Sequence, residues 1–200
     1  MHKLEAIKTY LTSWVDKESK LLEEKVFAAL RTEKTAISNG FMDSLKAICE
    51  KTADAQVADG ISYISYSHIC FNFLNKQPLY LIESFNEDWF FSSSISTHTY
   101  DPAWLTDMLH EFYDRAQKEH RRYVEKINAT EVEKIMLILL DTHTKHLMSF
   151  VEGLLRETKL DDIDEYNRLN KDELKITMGN YRGLFRVVRE CKEERGEQGK

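Results

Sequence analysis

Two imidazoles sit within the apolar stripe of the best helical pattern in this chain. Laid out at about 100° per residue, residues 131–157 place Val132, Met136, Leu139, Leu147, Phe150 and Leu154 on one face, together with His143 and His146. An imidazole on a core-facing stripe needs a hydrogen-bond partner, a metal or a gap in the packing. One helical turn separates the two, so they can share a ligand. If the preceding helical segment folds back, the simplest register sets Ala116 opposite His143 and His120 near Leu139, with Glu119 and His120 flanking that segment's apolar stripe. Glu119, His120, His143 and His146 are then the candidate ligands of a divalent transition metal, because bundle metal sites use inward carboxylates and imidazoles from facing helices. The spacing is neither a duplicated Glu-x-x-His nor an H-E-x-x-H, so the zinc-protease reading lacks its base. The architectural alternative needs no cofactor: the small Ala116 leaves room for a hydrogen-bonded imidazole.

Other groups with chemical potential are weaker. On a strand over 61–74, Tyr66, His68, Cys70 and Asn72 point to one side at period two. Cys, His and Asn are the residue types of a papain-like site. Same-face neighbours on one strand stand about 7 Å apart, awkward for a direct thiolate–imidazole bond. Tyr80, Phe85, Trp89, Phe90, Phe91, Tyr100 and Trp104 are dense enough to line a pocket, or to fill a core between a sheet and a helix. No P-loop, G-x-G-x-x-G or G-x-S-x-G occurs.

The elements that must position these groups follow from periodicity. Residues 1–58 read as helices: Leu4, Ile7, Leu11, Trp14 and Val15 recur at three- and four-residue steps, continue through Leu21, Leu22, Val26, Ala29 and Leu30, and break near Asp16–Ser19. A shorter helix follows Asn39-Gly40. From Ile61 to Tyr100 the chain is rich in Tyr, Phe, Ile and Ser, with Lys76 as its one basic residue. That composition predicts an antiparallel meander over 61–95, with strands 61–74, 79–85 and 89–95. Asp101-Pro102 starts the next helix, and Thr130-Glu131-Val132-Glu133 caps the one after, giving a helical hairpin over 102–157. Residues 174–190 fit either a helix or a β-hairpin; Gly179-Asn180 and Gly183 favour the hairpin. Residues 192–200 read as a charged, disordered tail.

Composition bounds the function. With 200 residues, 42% hydrophobic and 31% charged, the chain suits one α+β domain over 1–191. The net charge of −6 argues against nucleic acid as a partner, and Lys118–Arg122 reads as a solvated helix face. No apolar run reaches the roughly 20 residues of a membrane span, and no secretory signal is present. Three scattered cysteines suit free thiols in a reducing cytoplasm.

Tyr80–Trp89, with Tyr66-Ser67 before it and Met178–Tyr181 near the end, resembles an uncharacterised bacterial α+β family across residues 61–190. The resemblance implies a small intracellular protein with a helical hairpin beside a sheet, and supplies no catalytic residues. It also implies that tyrosine can replace His143 and His146. The expectation is an α+β protein with a long-helix bundle on a small antiparallel sheet. Its expected role is a non-enzymatic interaction or regulatory module, meeting a protein partner or a second copy through the N-terminal helices. A metal- or histidine-dependent enzyme is the alternative.

Overall fold

The computed structural model describes residues 3–55, 60–123, 127–169, 171 and 173–192. In chain order the elements are α1 (Lys3–Tyr10), a π-helical turn (Leu11–Val15), α2 (Asp16–Thr32), α3 (Lys34–Asp54), β1 (Tyr63–His68), α4 (Cys70–Leu74) and β2 (Tyr80–Phe85). There follow a 3-10 turn (Trp89–Phe91), β3 (Ser96–Tyr100), α5 (Ala103–His120), a 3-10 turn (Arg121–Tyr123) and α6 (Ala129–Glu157). The chain ends with a 3-10 turn (Leu160–Asp162), α7 (Asp164–Asn167), β4 (Glu173–Asn180) and β5 (Phe185–Lys192). The class is α+β. The chain divides into two compact units, one from residues 1–37 and 102–147 and one from residues 38–101 and 148–200. The expected tail lies outside the described residues from 193 onward.

The first unit is helical. Its N-terminal break falls at the π-helical turn rather than at 16–19. There Thr9, Thr12 and Ser13 bond back to the carbonyls of Glu5, Lys8 and Thr9, and such back-bonding competes with the regular ladder. Tyr10 stacks on Trp14 at 5.8 Å, Trp14 meets Phe112 of α5 at 5.2 Å, and the Tyr10 hydroxyl donates to the Ala116 carbonyl at 3.1 Å. The small Ala116 thus makes room for Tyr10. Leu22, Val26 and Ala29 are buried, so the middle of the N-terminal stripe packs internally, while Leu21 and Phe27 stay about 40% exposed. The capping box of α6 sits two residues earlier than the sequence suggests: Asn128 Oδ1 accepts from Glu131 N at 3.0 Å, and Glu131 Oε2 accepts from Asn128 N at 2.9 Å. Asn outranks Thr as a cap, which explains the shift.

The second unit holds a five-stranded sheet in the order β3-β2-β1-β4-β5. It is mixed and not a pure antiparallel meander: β1 pairs parallel with β4, from Tyr63↔Lys175 to His68↔Asn180, and the other neighbours are antiparallel. Residues 174–190, open to helix or hairpin by sequence, lie in β4 and β5. The strand expected over 61–74 stops at His68, where Ile69 leads into α4. Asn72 then ties the loop by donating to Pro78 O and accepting from Gln77 N, both at 2.9 Å. The strand expected over 89–95 is replaced by the 3-10 turn and a later β3. Asn86 Oδ1 accepts from Asp88 N and Ser92 Oγ, an Asx turn that bends the chain out of the sheet.

The two sheet faces differ. On one, Phe41 of α3 stacks on Tyr66 at 5.0 Å, and Ser44 shares a 3.1 Å hydrogen bond with the Tyr66 hydroxyl. Tyr80 and Tyr100 complete this cluster. On the other, Trp89 stacks on Tyr63 at 4.7 Å and donates to Ser65 Oγ at 2.9 Å. Phe90 packs on Phe85 and Phe185. The dense aromatics therefore split between two layers instead of forming one core.

Gly179 lets the β4–β5 turn close. A Cβ there would stand 2.1 Å from Leu184 O and 2.7 Å from Phe185 Cα, both backbone atoms. Gly179→Ala is expected to destabilise the chain by at least about 2 kcal/mol, read as a lower urea midpoint at unchanged slope. An unchanged midpoint would contradict this close approach.

Candidate functional site

His143 and His146 lie on α6 within the first unit, with ring centroids 5.5 Å apart. His143 is buried, and the flanking Met136, Leu140 and Leu147 are fully buried. His146 is half-buried and packs against Phe27 of α2 at 4.9 Å. The Nδ1 atoms of both rings are buried without a hydrogen-bond partner among the described residues. Burial, and then the neighbouring His146, push the His143 pKa down to about 4. His143 is therefore a neutral imidazole near pH 7.

The other two expected ligands are engaged elsewhere. His120 Nδ1 lies 2.7 Å from Gln117 O, and Glu119 accepts from Arg122 at 3.0 Å. Among the described residues no group of three His, Cys, Asp or Glu side chains is placed to hold a metal ion. The expected set of Glu119, His120, His143 and His146 is thus not brought together. Two imidazoles alone fall short of the three or four protein ligands of a zinc site. The register that set α5 against His146 fails because α2 supplies the contact there. The proposed strand-face set of Tyr66, His68, Cys70 and Asn72 also separates: Tyr66 and His68 are buried on β1, while Cys70 opens α4 and is exposed.

A second site was not anticipated from the sequence. A cleft of about 410 Å³ opens in the second unit beside β2, the 92–94 segment and the β4–β5 turn. Its walls are Phe85, Phe90, Phe91 and Tyr181, and its polar groups are Glu83, Ser92–Ser94 and Arg182. Glu83 sits on the Trp89-covered side of the sheet, in register with Ser65 of β1. One carboxylate oxygen, Oε2, is buried without a hydrogen-bond partner. Burial raises the Glu83 pKa, while a hydrogen bond from Ser94 and the charge of Arg182 pull it back in part. Arg182 lies over the Tyr181 ring at 5.4 Å.

Backbone strain surrounds this cleft. Trp89 and Arg182 have φ of 50° and 52°, a left-handed conformation costly for bulky side chains. At Trp89, the stack on Tyr63 and the bond to Ser65 offset the strain. At Arg182, the turn is closed by Gly183 N donating to Asn180 O at 2.8 Å. Phe91 is 98% exposed and Leu184 88% exposed. The strongest available signals in the sequence were the Asn86-Glu87-Asp88 turn, the Ser92-Ser93-Ser94 run and the Gly183 turn; none indicated that these loops meet.

Comparison with models of protein families, with curated proteins and with solved structures found no match.

The histidine pair makes a pH prediction. The folded-state pKa of His143, about 4, lies below the ordinary 6.5, so the unfolded chain binds more protons between those values. Its contribution to stability is complete above pH 6.5 and is lost as pH falls from 6.5 to 4. The loss is on the order of 3 kcal/mol at most. His143→Leu is expected to flatten the urea-midpoint profile in that window; an unchanged profile would place the proton uptake elsewhere.

Proposed function

We propose that this protein is a non-enzymatic regulatory module that binds a ligand in the cleft of its second unit. The observation that carries the reading is Glu83, whose inner carboxylate oxygen lacks a hydrogen-bond partner beside aromatic walls. A buried acceptor without a donor costs free energy, and a ligand that supplies the donor recovers it. Aromatic walls with a few convergent polar groups suit small-ligand recognition, and the volume lies within the usual range. The exposed Phe91 and Leu184 extend apolar surface beside the polar groups. Among the described residues lining the cleft there is no imidazole or thiol to form an activated nucleophile pair.

The test is amide NMR of the full chain against a library of acids, amines, zwitterions and neutral compounds. Shifts are expected to concentrate on Ser92–Ser94 and Tyr181–Arg182, with the bound compounds recovered unchanged. A library that perturbs only other surfaces, or none, would overturn the reading, and chemical turnover would overturn its non-enzymatic part.

A metal- or histidine-dependent reaction at His143 and His146 is the second reading, favoured by the two buried Nδ1 atoms without partners. It predicts about one equivalent of transition metal by elemental analysis of untagged protein; less than a tenth of an equivalent would end its metal form.

A further inference from the structure

We infer that the cleft takes a free α-amino acid with an apolar side chain, Glu83 receiving its ammonium, Arg182 its carboxylate and the phenyl rings its side chain. This rests on the cleft being the binding site proposed above. The charge pattern selects the ligand. Glu83 and Arg182 line the same cleft, and the Arg182 charge acts on the Glu83 carboxyl. Among the described residues, neither has an ion-pair partner. Glu83 Oε2 has no hydrogen-bond donor, and the guanidinium is placed over Tyr181. A simple cation would meet the repulsion of Arg182, and a simple anion that of Glu83. A zwitterion matches both groups, and charge-assisted hydrogen bonds are the strong ones.

The surroundings fit the rest of such a molecule. Phe85, Phe90 and Phe91 offer aromatic surface to an apolar side chain, and Ser92–Ser94 add hydroxyls beside the charged end. A volume of about 410 Å³ accommodates one amino acid of the leucine or phenylalanine size. The left-handed backbone of Arg182 adds an independent pointer. Glycine would relax that turn position, so the guanidinium is presented to the cleft at the expense of local strain.

The test uses the full chain and calorimetric or NMR titration. L-leucine and L-phenylalanine are compared with phenylalanine amide, N-acetylphenylalanine, 3-phenylpropionate and phenethylamine, each of which lacks one of the two charges. The zwitterions are expected to bind saturably with Kd below about 1 mM, and every single-charge or capped analogue at least about tenfold more weakly. Glu83→Gln and Arg182→Gly are each expected to lose at least about tenfold in affinity. Arg182→Gly should hold or raise the thermal midpoint, because it relieves the left-handed strain, so its loss of binding is not a loss of fold. If analogues bind at the cleft as tightly as the zwitterions, the ligand class is wrong while the site stands. If Arg182→Gly folds and binds the zwitterions normally, the carboxylate assignment fails. If no compound of any charge shifts Ser92–Ser94 or Tyr181–Arg182, both the ligand and the site are wrong.

Discussion

The parallel pairing of β1 with β4 is the constraint on which the second unit rests. It joins segments far apart in the chain, and its clearest side-chain bond spans 112 residues, from Thr177 Oγ1 to Ser65 Oγ at 3.0 Å. A parallel ladder cannot be closed by a tight turn and requires a long connection. Here that connection includes two further strands and two long helices. The entropy of closing it must be recovered by contacts that form only once the sheet is assembled. Ser65, fully buried, is one of those contacts: its hydroxyl oxygen accepts from both Thr177 and Trp89. One small side chain at the middle of the sheet thereby links the parallel pairing to the loop that covers the adjacent face.

That arrangement makes the two faces of the sheet chemically unlike. One carries tyrosines packed against α3, with the Tyr66 hydroxyl satisfied by Ser44. The other is covered near its centre by Trp89 and Phe90, a compact layer from a bent loop. A loop covers less sheet than a helix does, and the cleft beside Glu83 adjoins this layer. The same geometry accounts for strain at Trp89 and Arg182: each occupies an unfavourable backbone region held by contacts on either side of it. Strain that persists in an over-determined setting is often associated with binding sites, and here both strained residues adjoin one cleft or the loop that forms it.

The histidines show how a sound local inference can have the wrong partner. Their position on the apolar stripe of α6 was readable, because helical periodicity needs only nearby residues. The identity of the facing element was not. Ala116 suggested space for an imidazole, yet the group that uses that space is the hydroxyl of Tyr10, and the ring that meets His146 is Phe27. Glu119 and His120 satisfy their polar atoms within their own helix turn. Short-range partners of this kind are always within reach of the chain, so they compete effectively against a distant ligand set.

Taken alone, the order of residues determined the α+β class, the helical character of the N-terminal third and of 102–157, the β character of 61–100 and the turn chemistry near Gly183. These follow from propensity, periodicity and capping, which act over a few residues. The exact ends were blurred where two local signals competed, as with Asn128 against Thr130 at the start of α6. Only the tertiary structure decided that β4 enters the sheet beside β1, that Trp89 folds over Ser65, and that Glu83 and Arg182 face one cleft. Those outcomes depend on contacts between residues roughly one hundred positions apart, and no local pattern records which distant segments will meet.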